Sequence, residues 1–387
     1  MTTYQSYAVS LATLITLACP AAMAQEVEPV AEPPAAKGWK VETVVDGLPQ
    51  PWGMAWLADG RMLVTGKKGT LHLVDGKRVQ DIPVEGLPAL FTEGQGGLLD
   101  IAVHPLDKGP NPRIYMTMAS GTADANRTAL VQGVFDGKRV HGIKTLFSAS
   151  PSKSGGQHFG SRIVFLKDGT ILMSIGDGGN PPARVGNMLA REQAQNLGSH
   201  NGAILRLTAE GRAAPGNPLA ARKGALPELW SIGHRNIQGM TVDPNGRVWA
   251  SEHGPRGGDE INVIEGGKNY GWPLQSYGLD YKTREPIGKR VVAGMVNPLV
   301  VWTPSTGASG LAWYTGSAFP AWRGSLFSGG LATEDIRRVA FDAQGKVVKQ
   351  ERLDIGKRVR DVRQGPDGHL YALTDESKGS LLRIVPQ

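Results

Sequence analysis

One phrase recurs along this chain and restricts what it can become. A short apolar run meets a turn of the Asp-Gly or Asn-Gly type, and a second apolar run follows. The phrase occurs as MAWLADGRMLVTG (54–66), IVFLKDGTILMSIG (163–176), MTVDPNGRVWASE (240–252), VAFDAQGKVV (339–348) and VRQGPDGHLYALTD (362–375), with a looser copy in IAVHPLDKGPNPRIYMTMAS (101–120). Gly, Asn and Asp tolerate the positive φ that tight turns between antiparallel strands require. Six copies at irregular spacings of roughly 45 to 75 residues predict an all-β chain, a six-bladed β-propeller with loops of unequal length. Gly (52) and Pro (26) make up about a fifth of the 387 residues, and long helical periodicity is nearly absent. A pair of β-sandwiches is the alternative. The chain also carries its own closure. The final KGSLLRIVPQ reads as a strand lacking a partner, and WKVETVV (39–45) supplies one, so pairing the two would close the ring and remove exposed edges.

The first 24 residues stand apart. They hold no charge, include the apolar run AVSLATLITLACPAAMA and end in the small-x-small site Ala22-Met23-Ala24, as a signal peptide would, although MTTYQSY before the run has no Lys or Arg. Lipidation at Cys19 is the lesser alternative, since Thr16 is a poor match three positions earlier. No run is long enough to span a membrane. A periplasmic or secreted location follows. Residues 25–38, QEVEPVAEPPAAKG, read as a flexible leader and 39–387 as the propeller. Cleavage after Ala24 would remove the one cysteine, excluding disulfides and Cys-ligated metals. The formal charge of +7 is scattered, with no Lys/Arg block of five or more. No reader motif or basic stripe accompanies it, so nucleic acid is not an expected partner; a local positive pocket for an anionic ligand is.

Several constellations flank the strands. In GGQHFGSRIVFLKDGTILMSIGDGG (155–179), His158 precedes one strand of a hairpin and Asp177 follows the other, so the hairpin brings them to one end of a blade. A carboxylate beside an imidazole fixes its tautomer, as in a general base held in place; a hydrogen-bonded loop histidine is the plainer reading. Arg235 and Asn236 in SIGHRNIQGM stand directly before another strand. SEHGPRGGDEINVIEGGKNYGWP (251–273) is a loop able to aim carbonyls and a carboxylate at a hard cation, though its spacing is not that of an EF-hand. Arg358 and Arg360 alternate in a strand-like run and so share a face, where they repel unless an anion sits between them. Gln95 sits in a glycine loop just before a strand.

Taken in order, GQGGLLD, HFGSRIVF, GHRNIQG, EHGPRGGDEIN, GKNYGWP and RVRDVR-GPDG-LY-LTDE resemble the soluble aldose sugar dehydrogenases that use pyrroloquinoline quinone (PQQ), relatives of soluble glucose dehydrogenase, from about Trp39 to Gln387. The resemblance implies a six-bladed propeller that oxidises an aldose at C1 to its lactone and passes electrons to an external acceptor, as a monomer or homodimer. It implies that His158 is the base, Asp177 its orienting partner and Arg235 the stabiliser of charge on quinone oxygen. Arg235, Asn236, Gln95, Tyr281 and the Arg358-Val359-Arg360 run match PQQ contacts. The carbonyls of Gly254 and Pro255 match ligands of the Ca2+ that polarises PQQ, and Glu260 and Tyr270 match a second, structural calcium site. One place departs: the family lysine in the loop aligned with SGGLATED appears as Ala332, although the Gly330-Leu331-Ala332 backbone would still approach the cofactor. Two rivals remain, a calcium-dependent lactonase and a non-catalytic binding propeller.

Overall fold

The structure, a computed structural model, describes residues 26–387, so the expected signal peptide lies outside the described residues. Six four-stranded antiparallel sheets form the blades. Blade 1 comprises Pro51–Trp56, Met62–Gly66, Leu71–Asp75 and Arg78–Ile82, and blade 2 comprises Leu98–Val103, Arg113–Gly121, Asn126–Phe135 and Val140–Ser148. Blade 3 takes Ile163–Phe165, Ile171–Ile175, Ala203–Leu207 and Leu229–Ile232, and blade 4 takes Ile237–Val242, Val248–Glu252, Asp259–Ile264 and Val300–Trp302. Blade 5 is Ala308–Trp313, Leu326–Gly330, Asp335–Phe341 and Val347–Asp354. Blade 6 joins Val359–Gln364, Leu370–Thr374 and Lys378–Pro386 to the N-terminal strand Trp39–Pro49, with Trp39 opposite Pro386 and Val41 opposite Ile384. The ring is therefore closed by the two ends of the chain, as expected, and the sandwich alternative falls.

The recurring turns share one geometry. Gly60, Gly169, Gly246, Gly345 and Gly368 have φ between +79° and +88°, which a side chain would make costly. Five of the six phrases join the first and second strands of a blade. VAFDAQGKVV instead joins the third and fourth strands of blade 5. The inner hairpin of that blade turns through residues 314–325, which hold the short 3-10 helix Pro320–Trp322 in place of an Asp-Gly turn. Both turn types fall on one face of the ring. Connections between second and third strands, and between successive blades, fall on the other.

The core lies between blades rather than within one. Apolar clusters join each pair of neighbours, for example Leu63 and Leu71 of blade 1 with Leu98 and Met116 of blade 2. Blades 6 and 1 close the circle with Leu373 and Leu381 against Met54 and Val64. Inner strands such as Ile171–Ile175 are buried on both faces and so read as unbroken apolar runs. Near the axis, Asp100 and Asp361 interlock with Arg162 and Arg363.

The segment expected as a flexible leader departs from that expectation. Val30 N–H donates to Val301 O at 2.8 Å and Ala36 N–H to Arg352 O at 2.8 Å, so it runs along the outermost strands of blades 4 and 5. Glu26 pairs with Arg290, and Glu32 with Arg352. The two sheet edges offer unpaired backbone groups, and an extended Pro/Ala-rich segment can satisfy them.

Candidate functional site

The face opposite the Asp-Gly turns holds a cavity of about 330 Å³ on the propeller axis, with walls from all six blades: Trp52 and Lys67, Gln95 and Leu99, Phe159, Gln238 and His253, Leu331 and Ala332, and Arg358, Arg360 and Asp375. Behind the wall residues Gln95 and Phe159, the hairpin Ile163–Phe165/Ile171–Ile175 brings His158 and Asp177 together, as the sequence predicts, although neither lines the cavity itself. His158 Nδ1 lies 2.7 Å from Asp177 Oδ1, and both residues are buried. The approach is tight: a Cβ on Gly176 would meet His158 O at 2.0 Å, so only glycine fits there. His158 takes a left-handed conformation, φ +49°. Its N–H donates to Gln95 Oε1 at 2.8 Å, which ties the residue to the cavity wall.

Asp177 has both oxygens engaged. Oδ1 also accepts the Gly179 N–H at 2.8 Å, and Oδ2 accepts the Trp272 indole N–H at 2.8 Å. Burial raises its carboxyl, but His158, Arg235 and the Gly179 N–H outweigh that and hold it below the ordinary value. The acceptor at Oδ1 places the imidazole proton on Nδ1 and leaves Nε2 as the basic nitrogen. Burial, then the Arg235 charge, hold His158 below the ordinary imidazole value against the opposing pull of Asp177.

Arg235 is buried behind the cavity. It donates to Gly254 O at 2.7 Å, to His253 O at 3.2 Å and to Asn180 Oδ1 at 2.9 Å, and it packs over the Trp272 ring at 5.3 Å. Its guanidinium forms no ion pair among the described residues. Asn236 is fully buried and does not face the cavity. Its amide accepts the Gly160 N–H at 3.1 Å and lies 3.3 Å from His253 Nδ1, so it braces the wall.

Strand alternation places Arg358 and Arg360 on the cavity side and corrects the expectation for Val359. Val359 is completely buried in the apolar cluster between blades 5 and 6, with its carbonyl accepting the Ser309 hydroxyl at 2.6 Å. The two arginines are bridged by Asp375, at 3.1 Å from each, so the anion expected between them is in part an internal carboxylate. Arg358 also donates to Leu331 O at 2.9 Å. Leu331 and Ala332 line the cavity, whereas Gly330 ends its strand behind them. Tyr281 is not brought to the cavity: it stands 51 % exposed at the tip of the long loop of blade 4.

The residues expected to bind cations lie one layer away. The carbonyls of Gly254 and Pro255 accept hydrogen bonds from Arg235 at 2.7 Å and from the Ser305 hydroxyl at 2.8 Å, which leaves each a second lone pair. Glu260 and Tyr270 border a small void of about 10 Å³ together with Glu252, Gly254 and Pro255, room for one water-sized species. Burial, then the Glu252 charge, push the Glu260 carboxyl up to about 8. The Tyr270 hydroxyl is committed elsewhere, donating to Val263 O at 2.6 Å. Among the described residues no cluster of three or more His, Cys, Asp or Glu side chains forms a ready metal cage.

Sequence reasoning passed over several members of this site. Trp272 sits inside the quoted GKNYGWP, and His253 inside EHGPRGG. His253 has an unpartnered Nε2 and is held well below the ordinary imidazole range by burial and the neighbouring His158 and Arg235. Lys153 reaches Asn126 Oδ1 at 2.8 Å and Gly155 O at 3.0 Å and lies 4.0 Å above the Phe159 ring; burial pushes it down to about 7. Lys67 and Asp375 give no local signal beyond following a strand.

Fold and site together describe a propeller with a buried histidine–aspartate pair behind the wall of a cation-lined axial cavity. The family model described as glucose/sorbosone dehydrogenase matches residues 48–383, and the chain belongs to that family: it is a sugar dehydrogenase, an oxidoreductase. It is 39% identical over 357 residues to the aldose sugar dehydrogenase YliI of Escherichia coli strain K12, covering 90% of this chain and 93% of that protein. The crystal structure of the soluble aldose sugar dehydrogenase from Escherichia coli in the apo form matches with a TM-score of 0.83 and 38% identity, over 90% of this chain and 100% of that one. The PQQ-bound form of aldose sugar dehydrogenase from Streptomyces coelicolor matches with a TM-score of 0.71 and 28% identity, over 91% of this chain and 99% of that one.

Proposed function

We propose that this protein oxidises aldose sugars at C1 to the lactone with PQQ and calcium. One observation carries the reading: the His158–Asp177 pair is tied through the His158 N–H to Gln95, and Gln95 lines the cavity whose wall carries Arg358, Arg360 and Lys67. A polyanion fits that wall, and the PQQ-bound form of a 28% identical relative supports it. Hard-cation chemistry fits the second lone pairs of the Gly254 and Pro255 carbonyls, with the carboxyl groups of Glu252 and Glu260 bordering the same void. When bound, PQQ with its calcium supplies a polarised quinone that accepts the hydride.

The remaining chemistry belongs to the chain. His158 Nε2 takes the proton of the anomeric hydroxyl as the C1 hydride departs, and the sugar leaves as lactone. Asp177 keeps the ring oriented and stabilises the imidazolium that forms. Arg235, a buried cation without a carboxylate partner, offsets negative charge that develops beside it. Gln95 and the glycine loop hold the base in register. A lactonase would have no use for three cations on one wall, which favours oxidation over that rival. Electrons then leave to an external acceptor. The uncharged N-terminal stretch supports export to the periplasm or beyond, and no helix among the described residues is long and apolar enough to cross a membrane.

The test is reconstitution. Apo-protein given PQQ and Ca2+ should reduce a dye acceptor with aldoses and not without them. Absence of reduction across several aldoses, with PQQ bound, would overturn the reading.

A further inference from the structure

The charges around the axial cavity do not balance. Lys67, Arg358 and Arg360 line it, and Asp375 is the single carboxylate among its walls. Asp375 is already shared by the two arginines at 3.1 Å each. Lys67 has no carboxylate partner among the described residues; its ammonium donates to Gly94 O at 3.0 Å. A second positive group, Arg360, presses on it, and burial with that charge lowers the Lys67 ammonium from its ordinary value.

The lysine is also held in place by its backbone. Lys67 N–H donates to Gln50 O at 3.0 Å, and Lys67 O accepts the Leu98 N–H at 2.9 Å. A Cβ on Gly97, at φ +139°, would meet Lys67 O at 2.3 Å, so the approach depends on that glycine. Lys67 thus stands half-buried beside Arg360, with one carbonyl as its acceptor and an Asp375 already shared by the arginines as the opposing charge, so an arriving anion would be favoured there.

We propose that Lys67 is a cofactor-anchoring residue, whose ammonium takes a carboxylate of PQQ from the blade 1 side of the cavity. This rests on the PQQ reading above. Arg358 and Arg360 contribute from blade 6, next to blade 1 around the ring. The apolar Leu331 and Ala332 lie on the blade 5 wall, so cationic recognition is concentrated on blades 6 and 1. His158 and Arg235 lie on blades 3 and 4, across the axis. The acidic part of the cofactor would therefore point away from the base, leaving its reactive edge toward His158.

The experiment is titration of purified apo-protein with PQQ alone, without calcium or sugar, read by quenching of tryptophan fluorescence and by calorimetry. Lys67→Met should bind about tenfold or more weakly, with a shallower dependence of affinity on salt because one charge contact is gone. Lys67→Arg should stay near wild type. Ala332→Lys placed in the Lys67→Met protein should recover affinity by returning a cation to the same cavity. Thermal unfolding of each variant checks that the fold is intact. Wild-type affinity and salt dependence in a folded Lys67→Met protein would overturn the assignment. Failure of the wild-type protein to take up PQQ both without and with added Ca2+ would instead remove the cofactor reading, and this proposal with it.

Discussion

The Trp272 indole N–H donates to Asp177 Oδ2 at 2.8 Å, across 95 residues of sequence. This contact fastens the long loop of blade 4 to the carboxylate that orients His158 on blade 3. The same ring lies under the Arg235 guanidinium. Trp272→Phe keeps most of the packing but leaves a buried carboxylate oxygen without its donor. The expected cost is about 1–3 kcal/mol of stability. Because Asp177 would orient His158 less firmly, kcat should fall while PQQ affinity holds. Urea unfolding and steady-state kinetics measure the two effects separately.

His158→Ala removes the base and leaves the cationic wall untouched. Turnover should fall by about 10²–10⁴-fold. Binding of PQQ to the apo-protein should be unchanged. Wild-type turnover in this variant would transfer the role of base to another group, with His253 the nearest alternative in the cavity wall.

The pH dependence has a definite sign. Burial and the Arg235 charge hold His158 below its ordinary value of 6.5, with Lys153 adding to the depression and Asp177 opposing it. The native protein therefore binds less proton at this site than the unfolded chain does. The stability linked to His158 is present above 6.5 and is lost as pH falls through the lower native value. The acid limb of kcat/KM should likewise lie below 6.5, leaving the base neutral and active at pH 7. Arg235→Met removes a cation and should move that limb upward, apart from any loss in maximal rate. A limb that stays in place or moves down would show that Arg235 does not set the proton affinity of the base.

Near the axis, Arg162 lies 3.1 Å from Asp100 and 2.9 Å from Asp361, and Arg363 joins the same two carboxylates. Asp100→Ala would leave the buried Arg162 and the partly exposed Arg363 facing one carboxylate. The expected loss is about 3–5 kcal/mol, the range for stripping one partner from a buried pair. Equilibrium denaturation with an unchanged m-value would identify this as lost stability rather than a changed unfolded state.

The chain's local chemistry settled the blades and the meeting of His158 with Asp177. Asp-Gly and Asn-Gly turns obey steric rules acting over four or five residues, so the hairpins could be read directly, and with them the meeting of His158 and Asp177 at one hairpin's end. Closure was legible because the two terminal strands each lacked a partner. The phase of blade 5 was not: its inner hairpin has a long connection without the turn, and its outer hairpin carries the phrase. Nor was the Pro-rich segment after residue 25 legible, since its order comes from sheet edges more than 250 residues away that it covers.

What only the tertiary structure decided is which groups meet on the axis. Lys67 and Asp375 merely follow strands with no local mark of a site, while His253 and Trp272 sit unremarked in the 251–273 loop that was read for its carbonyls and carboxylate. The angular stacking of six blades, and the path of each connection, bring them within reach of one another. Alternation along a strand could not say whether Arg358 and Arg360 or Val359 turned to the cavity; packing of Val359 between blades 5 and 6 did. Sequence thus determined the repeated unit, because turn sterics and apolar alternation are local. The ring determined the site, because convergence at a centre is a property of the whole closed circle.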